Sequence, residues 1–152
     1  MGRKDLIDAA RLSAPPRGGN IGRGMKVNKE EILDMYVALE QFVNQDHDKV
    51  WEMWEDRVRV IENAVKQVKG VNTEVTVPPI ANQTPTLEVS WNESLVRISR
   101  EELQEKLREG NPSIEVMGRE NNIINITVFM LKHGQEKVVA KRLQEELYKA
   151  SV

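Results

Sequence analysis

Residues 15–27 carry the side chains of this 152-residue chain that are best suited to chemistry. The segment contains four glycines, two prolines and the cations Arg17, Arg23 and Lys26, with no acidic residue. Glycine permits backbone conformations closed to other residues, and uncompensated arginine and lysine side chains offer donors to phosphate or carboxylate groups. The composition therefore predicts an anion-binding connection between two helices. A mobile surface loop, which such composition more often indicates, is the alternative.

Helical patterns flank this segment. Leucine, isoleucine and alanine residues within 4–12 predict a short helix with one weak apolar face. Asn28 and Glu31 form a capping-box pattern that starts a second helix directly after Lys26. One side of that helix is apolar at a spacing of four and three residues, at Ile32, Tyr36, Leu39 and Val43. This side is expected to be core or a subunit interface.

A third helix is predicted over residues 46–69, with Asp46 as its N-cap and Gly70 as its C-terminal stop. Its two tryptophans, Trp51 and Trp54, are expected to belong to the core rather than to stack on a cofactor. The positions expected to be buried are Val50, Trp54, Val58, Ile61, Val65 and Val68.

Beyond Gly70 the apolar period changes from helical to alternating. Strands are predicted at residues 73–77 and 87–91, which pair as a hairpin, and at residues 113–117 and 123–131. A capping box at Ser99 opens a helix that halts at Gly110, and a last helix runs over residues 135–149. Its inward positions are predicted to be Val138, Val139, Leu143 and Leu147. The order of elements predicts an α+β fold, with a mainly antiparallel open sheet and helices on one face.

The composition limits the classes of function. A net charge of −2 disfavours a surface built for nucleic acid. No apolar run of about 18 residues is present, so no membrane span is expected. His47 and His133 lack the spacing of zinc ligands, so no metal site is expected. With no cysteine the chain has no disulfide and no thiolate chemistry, which fits the expected cytoplasmic location.

Three short motifs, in the order of the chain, resemble those of a known enzyme family. They are residues 2–7 (Gly-Arg-Lys-Asp-Leu-Ile), residues 21–29 and residues 111–116. Together they resemble the C-terminal half of the selenocysteine-synthase-like group of pyridoxal-phosphate enzymes. This group includes L-seryl-tRNA(Sec) selenium transferase and D-glucosaminate-6-phosphate ammonia-lyase.

The resemblance implies the small C-terminal domain of the aspartate-aminotransferase-type fold. Residues 1–27 would then be a remnant of the large-domain edge, and residues 28–152 the linking helices and the small domain. It also implies that Arg23 and Lys26 bind substrate or cofactor anions near a subunit boundary, with Arg17 beside them. Arg119 either binds a carboxylate or serves as a turn residue, because the family's arginine lies closer to the preceding proline.

The implied cofactor of the complete enzyme is pyridoxal 5′-phosphate, and the implied reaction is β-elimination or replacement on an amino-acid-type substrate. Such an enzyme needs a lysine for the Schiff base with the cofactor, which in this family lies on the large domain. This chain alone is therefore expected not to be catalytic, and to need an N-terminal cofactor domain. The alternative is a free-standing oligomerisation or ligand-binding domain that forms a homo-oligomer through residues 28–69. RNA binding through the basic segment is a remoter third possibility.

Overall fold

The computed structural model describes residues 2–15, 19, 21–118 and 121–152, and the chain divides into two compact units, Met1–Gln45 and Asp46–Val152. The predicted division of residues 1–27 from 28–152 refers to the domains of a whole enzyme and stays a prediction. In the first unit the described elements are α1 (Lys4–Ser13), a 3-10 helix (Ile21–Met25) and α2 (Lys29–Asn44). In the second unit they are α3 (His47–Val65), β1 (Val71–Thr76), β2 (Thr86–Trp91), α4 (Arg100–Arg108), β3 (Met117–Gly118), β4 (Ile123–Thr127) and α5 (Gln135–Lys149).

In the first unit, local signals set where the helices begin and end. The Asn28 side chain accepts a hydrogen bond from the backbone N–H of Glu31 at 2.8 Å, and the Glu31 carboxylate accepts one from the N–H of Asn28 at 2.8 Å. The predicted capping box of α2 is therefore confirmed. A Cβ at Gly22 would lie 2.3 Å from the carbonyl oxygen of Ser13, so the 3-10 helix can approach α1 this closely because glycine has no side chain.

In the second unit, α3 begins as predicted but ends earlier. The Asp46 side chain caps the helix by accepting from the N–H of Lys49 at 3.2 Å. The helix ends at Val65 instead of residue 69, because the chain tightens and the N–H of Val68 donates to the carbonyl of Val65 at 3.0 Å. Gly70, with φ of 91°, makes the left-handed turn into β1.

The four described strands form one antiparallel sheet in the order β1-β2-β4-β3. Val89 of β2 lies opposite Thr73 of β1 and Ile124 of β4, so the predicted hairpin is confirmed. Leu87, Val89 and Trp91 are buried, as their alternation predicts, and they line the face of the sheet that the core covers.

The core joins this face of the sheet to helices of the second unit. Ile61 and Val65 of α3, Leu107 of α4, and Leu143 and Leu147 of α5 are fully buried in the same cluster as the β2 side chains. The predicted α+β fold with an antiparallel open sheet is confirmed. Of the other α3 positions predicted to be buried, Val58 and Val68 are buried, whereas Val50 and Trp54 are half-buried.

The last helix, α5, has the bounds that the sequence predicts. Its inward positions differ at one residue, because Val138 is 39% exposed while Ala140 is buried. Buried positions Val139, Leu143 and Leu147 follow one another at intervals of four, and Val138 lies about a quarter turn away from that line.

The predicted strand over residues 113–117 is wrong except at its last residue. The Ser113 hydroxyl donates to the carbonyl of Arg108 at 2.6 Å, and the N–H of Ile114 donates to the carbonyl of Leu107 at 2.9 Å. These bonds satisfy carbonyls at the end of α4, so the segment folds back on the helix instead of joining the sheet.

The fourth strand, β4, starts at Ile123 as predicted and ends at Thr127 rather than at residue 131. After it, the N–H of Leu131 donates to the carbonyl of Val128 at 3.1 Å, which turns the chain away from the sheet. Among the described residues, no helix is long and apolar enough to cross a membrane.

Candidate functional site

The structure describes part of the predicted anion-binding segment. The backbone of Arg23 lies in the 3-10 helix Ile21–Met25. The side chain of Arg23, and the whole of Arg17 and Arg119, lie outside the described residues. Of the four predicted cations, Lys26 is therefore the one whose side chain lies within the described residues.

The Lys26 side chain lines a concavity of about 370 Å³ within the first unit. The other residues that line it are Ala14, Pro15, Met25, Val27 and Ile32. Lys26 is exposed, and it forms no ion pair with any residue of the described ranges. An ammonium group beside an otherwise apolar hollow suits a ligand that carries an anionic group on an apolar body.

Two local features fix the backbone on either side of this concavity. On one side, the missing side chain of Gly22 lets the 3-10 helix lie against the end of α1. On the other, the capping box of Asn28 and Glu31 fixes the backbone two residues after Lys26. The lysine therefore lies between two defined backbone points.

The surface of α2 is apolar and exposed. No described residue of Met1–Gln45 is buried. Eight large apolar side chains of α2 are 41% to 70% exposed, namely Ile32, Leu33, Met35, Tyr36, Val37, Leu39, Phe42 and Val43. Of the two predictions for this helix, core or subunit interface, the core is wrong for the chain as described. An apolar helix surface of this extent is typical of a protein contact.

A second concavity, of about 500 Å³, lies in the second unit and was not predicted from the sequence. Its cations are Lys137, Lys141 and Arg142 of α5. The signal available in the sequence was the spacing of Lys137 and Lys141, which places both on one side of a helix. Within the described part of the chain, no cluster of three histidine or acidic residues is arranged to hold a metal ion.

The fold of this chain is similar to part of a solved enzyme structure. No protein-family model matches the sequence, and no curated protein matches it. Among solved structures, that of D-glucosaminate-6-phosphate ammonia-lyase matches with a TM-score of 0.66 and 19% identity. The match covers 99% of this chain and 39% of the lyase chain, so this chain spans well under half of that protein's length. The lyase is a member of the group that the sequence resembles, and the resemblance is therefore confirmed at the level of the fold: this chain has the fold of part of such an enzyme.

Proposed function

We propose that this chain is the C-terminal part of a pyridoxal-phosphate-dependent lyase or transferase that acts on an amino-acid-type substrate by β-elimination or replacement. The fold match supports this proposal, because it runs over 99% of this chain and over 39% of the lyase. When bound, the cofactor supplies the electron sink that stabilises a carbanion of the substrate. The residues described below supply anion contacts and a surface for the rest of the enzyme.

The fold match carries the proposal, and the need for a further protein surface is indicated by the absence of buried side chains among the described residues of Met1–Gln45. A segment of about 40 residues needs a partner surface or a cross-link to be stable. The exposed apolar side chains of α2 offer such a surface. We therefore assign them to contact with a large cofactor domain, in the same polypeptide or in a separate chain.

The lysines of this chain do not fit the covalent site of the cofactor. Every one of them is exposed to solvent. A lysine that is activated as a nucleophile lies in a desolvated pocket or beside another cation. In this proposal the reactive lysine therefore belongs to the large domain, and no residue of this chain is assigned a catalytic role.

Lys26 and Arg23 are assigned to anion contacts in the assembled site. The Lys26 ammonium, beside its apolar hollow, can pair with a phosphate or a carboxylate as a point charge. Arg23, three residues earlier, can bind the same kind of group with two parallel donors. Arg17 and Arg119 are assigned to the same anion-binding role on the evidence of the sequence alone.

The test is a titration of the full chain with pyridoxal 5′-phosphate, followed residue by residue with ¹H–¹⁵N NMR. The amide signals of residues 21–29 are expected to move, and the double variant Arg23→Gln, Lys26→Gln is expected to weaken this response about tenfold. Lys29→Gln is the matched control, because Lys29 is exposed and does not line the hollow. An unchanged response in the double variant would contradict anion binding by these two side chains and would indicate that the segment is an ordinary surface loop.

Borohydride reduction of the same sample, followed by peptide mass spectrometry, tests the cofactor lysine. No single lysine of this chain is expected to be modified selectively and in stoichiometric amount, since none lies in a desolvated pocket that would activate its amine. Stoichiometric modification of one lysine would contradict the assignment of the reactive amine to the large domain.

The second candidate function is a free-standing oligomerisation domain without catalysis. The same exposed face of α2 favours it, because a second copy of the chain could cover that face by pairing helix with helix. In either case a cytoplasmic location is proposed, with which the lack of cysteine is compatible. Its partners are proposed to be other protein surfaces and a small molecule, and a net charge of −2 argues against nucleic acid.

A further inference from the structure

The concavity of about 500 Å³ in the second unit is a groove between α5 and the turn after α4. On one side lie Lys137, Lys141 and Arg142 of α5, and on the other lie Asn111 and Pro112. Lys137 and Lys141 are one helical turn apart, which brings their Cβ atoms within about 6 Å of each other. Two lysines and an arginine therefore converge on one hollow.

The Arg142 guanidinium is held in a defined position at this groove. Its Nη1 donates to the Glu146 carboxylate at 3.1 Å, and its Nη2 donates to the carbonyl of Lys106 at 3.4 Å. A Cβ at Gly110 would lie 2.3 Å from Nη2, so the guanidinium occupies space that any other residue at this position would fill. Its side chain is 19% exposed. A cation placed in advance loses little conformational entropy when it binds an anion.

The charges that line the groove do not cancel. Glu145 lies among them, with its carboxylate 3.8 Å from the Lys141 ammonium and 3.6 Å from Arg142 Nη1, distances longer than those of direct ionic hydrogen bonds. Lys137 has no ion pair with any residue in the described ranges. With Glu146, which pairs with Arg142 at 3.1 Å, three cations meet two carboxylates, so the groove keeps a net positive charge that comes mainly from Lys137 and Lys141.

We propose that this groove binds a small molecule that carries a phosphate monoester. A phosphate monoester has close to two negative charges and three acceptor oxygens, so it can contact the two lysines together and still accept from Arg142, which a ligand with a single carboxylate group does less well. The volume exceeds what phosphate alone fills, and the exposed side chains of Pro112 and Val138 offer an apolar wall for the rest of the molecule. This site uses no residue of the 15–27 segment, so it stands apart from the anion contacts proposed there.

The probe is glycerol 3-phosphate, titrated into the full chain and followed by ¹H–¹⁵N NMR at the amides of residues 137–142. Lys137→Gln and Lys141→Gln are each expected to weaken binding about fivefold, and the double variant more strongly. Lys69→Gln is the matched control, since Lys69 is an exposed lysine of the same unit that does not line the groove. It is expected to leave the affinity unchanged.

Gly110→Ala tests the arrangement of the groove without changing its charge. The added methyl group must displace the Arg142 guanidinium, the flexible end of its side chain, and it would also lie 3.2 Å from the carbonyl oxygen of Lys106, so the fold is expected to be kept with a shift of a few tenths of an ångström there. Binding is expected to weaken severalfold. Wild-type affinity in this variant would contradict the proposal that the Arg142 guanidinium contacts the phosphate.

Three results would show that the shifts do not come from specific phosphate binding in the groove. Absence of a saturable shift at millimolar glycerol 3-phosphate would overturn the proposal. So would an equal response to acetate at the same ionic strength, or an equal loss of affinity in Lys69→Gln. Because the readout is local to residues 137–142, failure here leaves the result for residues 21–29 unaffected.

Discussion

At the scale of single residues, Glu146 shows how burial and charge act together. Its side chain is 8% exposed, and its carboxylate accepts from the Lys149 ammonium at 2.9 Å and from Arg142 at 3.1 Å. The hydrogen bond from Lys149 holds the pKa of Glu146 below its usual range against the opposing effect of burial, and the charges of Lys149 and then Arg142 add to this lowering. A carboxyl group whose pKa is lowered by folding stabilises the fold above its unfolded pKa and loses that contribution as the pH falls through its folded pKa.

Glu146→Gln is therefore expected to lower the free energy of unfolding by about 1 kcal/mol at pH 7. The difference from wild type should persist down to about pH 4.3, the ordinary value for glutamate, and shrink below it as the wild-type carboxylate becomes protonated. Thermal unfolding by circular dichroism at a series of pH values from neutral to acidic measures this.

Glu145→Gln is the control for that measurement, because it removes the same charge from a residue whose contacts to Lys141 and Arg142 are 3.8 and 3.6 Å long. Its effect at pH 7 should be smaller. A destabilisation by Glu146→Gln that is the same in acid as at neutral pH would show that packing, and not the ionised carboxylate, is responsible.

At the scale of elements, the capping boxes show how four residues start a helix. The Ser99 hydroxyl accepts from the N–H of Glu102 at 3.2 Å, and the Glu102 carboxylate accepts from the N–H of Ser99 at 3.1 Å. The helix that follows buries Leu103 and Leu107 in the core. The cap of α4 therefore contributes to the stability of the whole second unit, whereas the cap of α2 begins a helix with no buried residue.

Ser99→Ala is expected to cost about 1 kcal/mol of unfolding free energy, because a helix N–H loses its acceptor. Urea denaturation followed by tryptophan fluorescence measures this, since Trp91 is buried in the same unit. Ser94→Ala is the matched control: it removes an exposed hydroxyl that has no hydrogen bond among the described residues. Equal effects of the two substitutions would contradict the capping role.

At the scale of the whole molecule, the two units differ in kind. Asp46–Val152 buries a cluster that includes Leu87, Ile124 and Leu143, whereas the described part of Met1–Gln45 buries nothing. A unit without buried side chains gains little from the hydrophobic effect on its own. The first unit is therefore expected to take its final stability from another protein surface.

If a second copy provides that surface, the chain is expected to be a dimer at micromolar concentration. Tyr36→Glu combined with Phe42→Glu should raise the dissociation constant about 100-fold or more, because each substitution places a charge in an apolar contact. Sedimentation velocity over a concentration series measures this.

Glu40→Gln is the control for the dimer, since it changes an exposed polar residue of the same helix. A wild-type chain that is monomeric throughout the series would contradict the homo-oligomer. The exposed face of α2 would then remain assigned to the cofactor domain.

Local features were predictable from the sequence, whereas contacts between distant segments were predictable only in part: the hairpin and the fold class were, and the side-chain contacts between elements were not. The caps at Asn28, Asp46 and Ser99, and both ends of α5, depend on residues within one or two helical turns, so the sequence contains all the information that they need. The segment 113–117 alternates like a strand, but its first N–H groups and side chains found partners on α4. Whether a strand pairs depends on which other backbone reaches it, and that choice is made by tertiary contacts.

The same distinction applies to the candidate sites. The sequence by itself determined that cations and glycines are concentrated in residues 15–27 and that α2 is apolar. The tertiary structure decided that this apolar helix lies exposed and that Lys26 lines a hollow. It also brought Arg142 to the carbonyl of Lys106, 36 positions away, at a place kept open by Gly110. Side-chain type and near spacing are properties of the chain, whereas convergence from distant positions exists only once the core has packed, because packing alone brings those positions together.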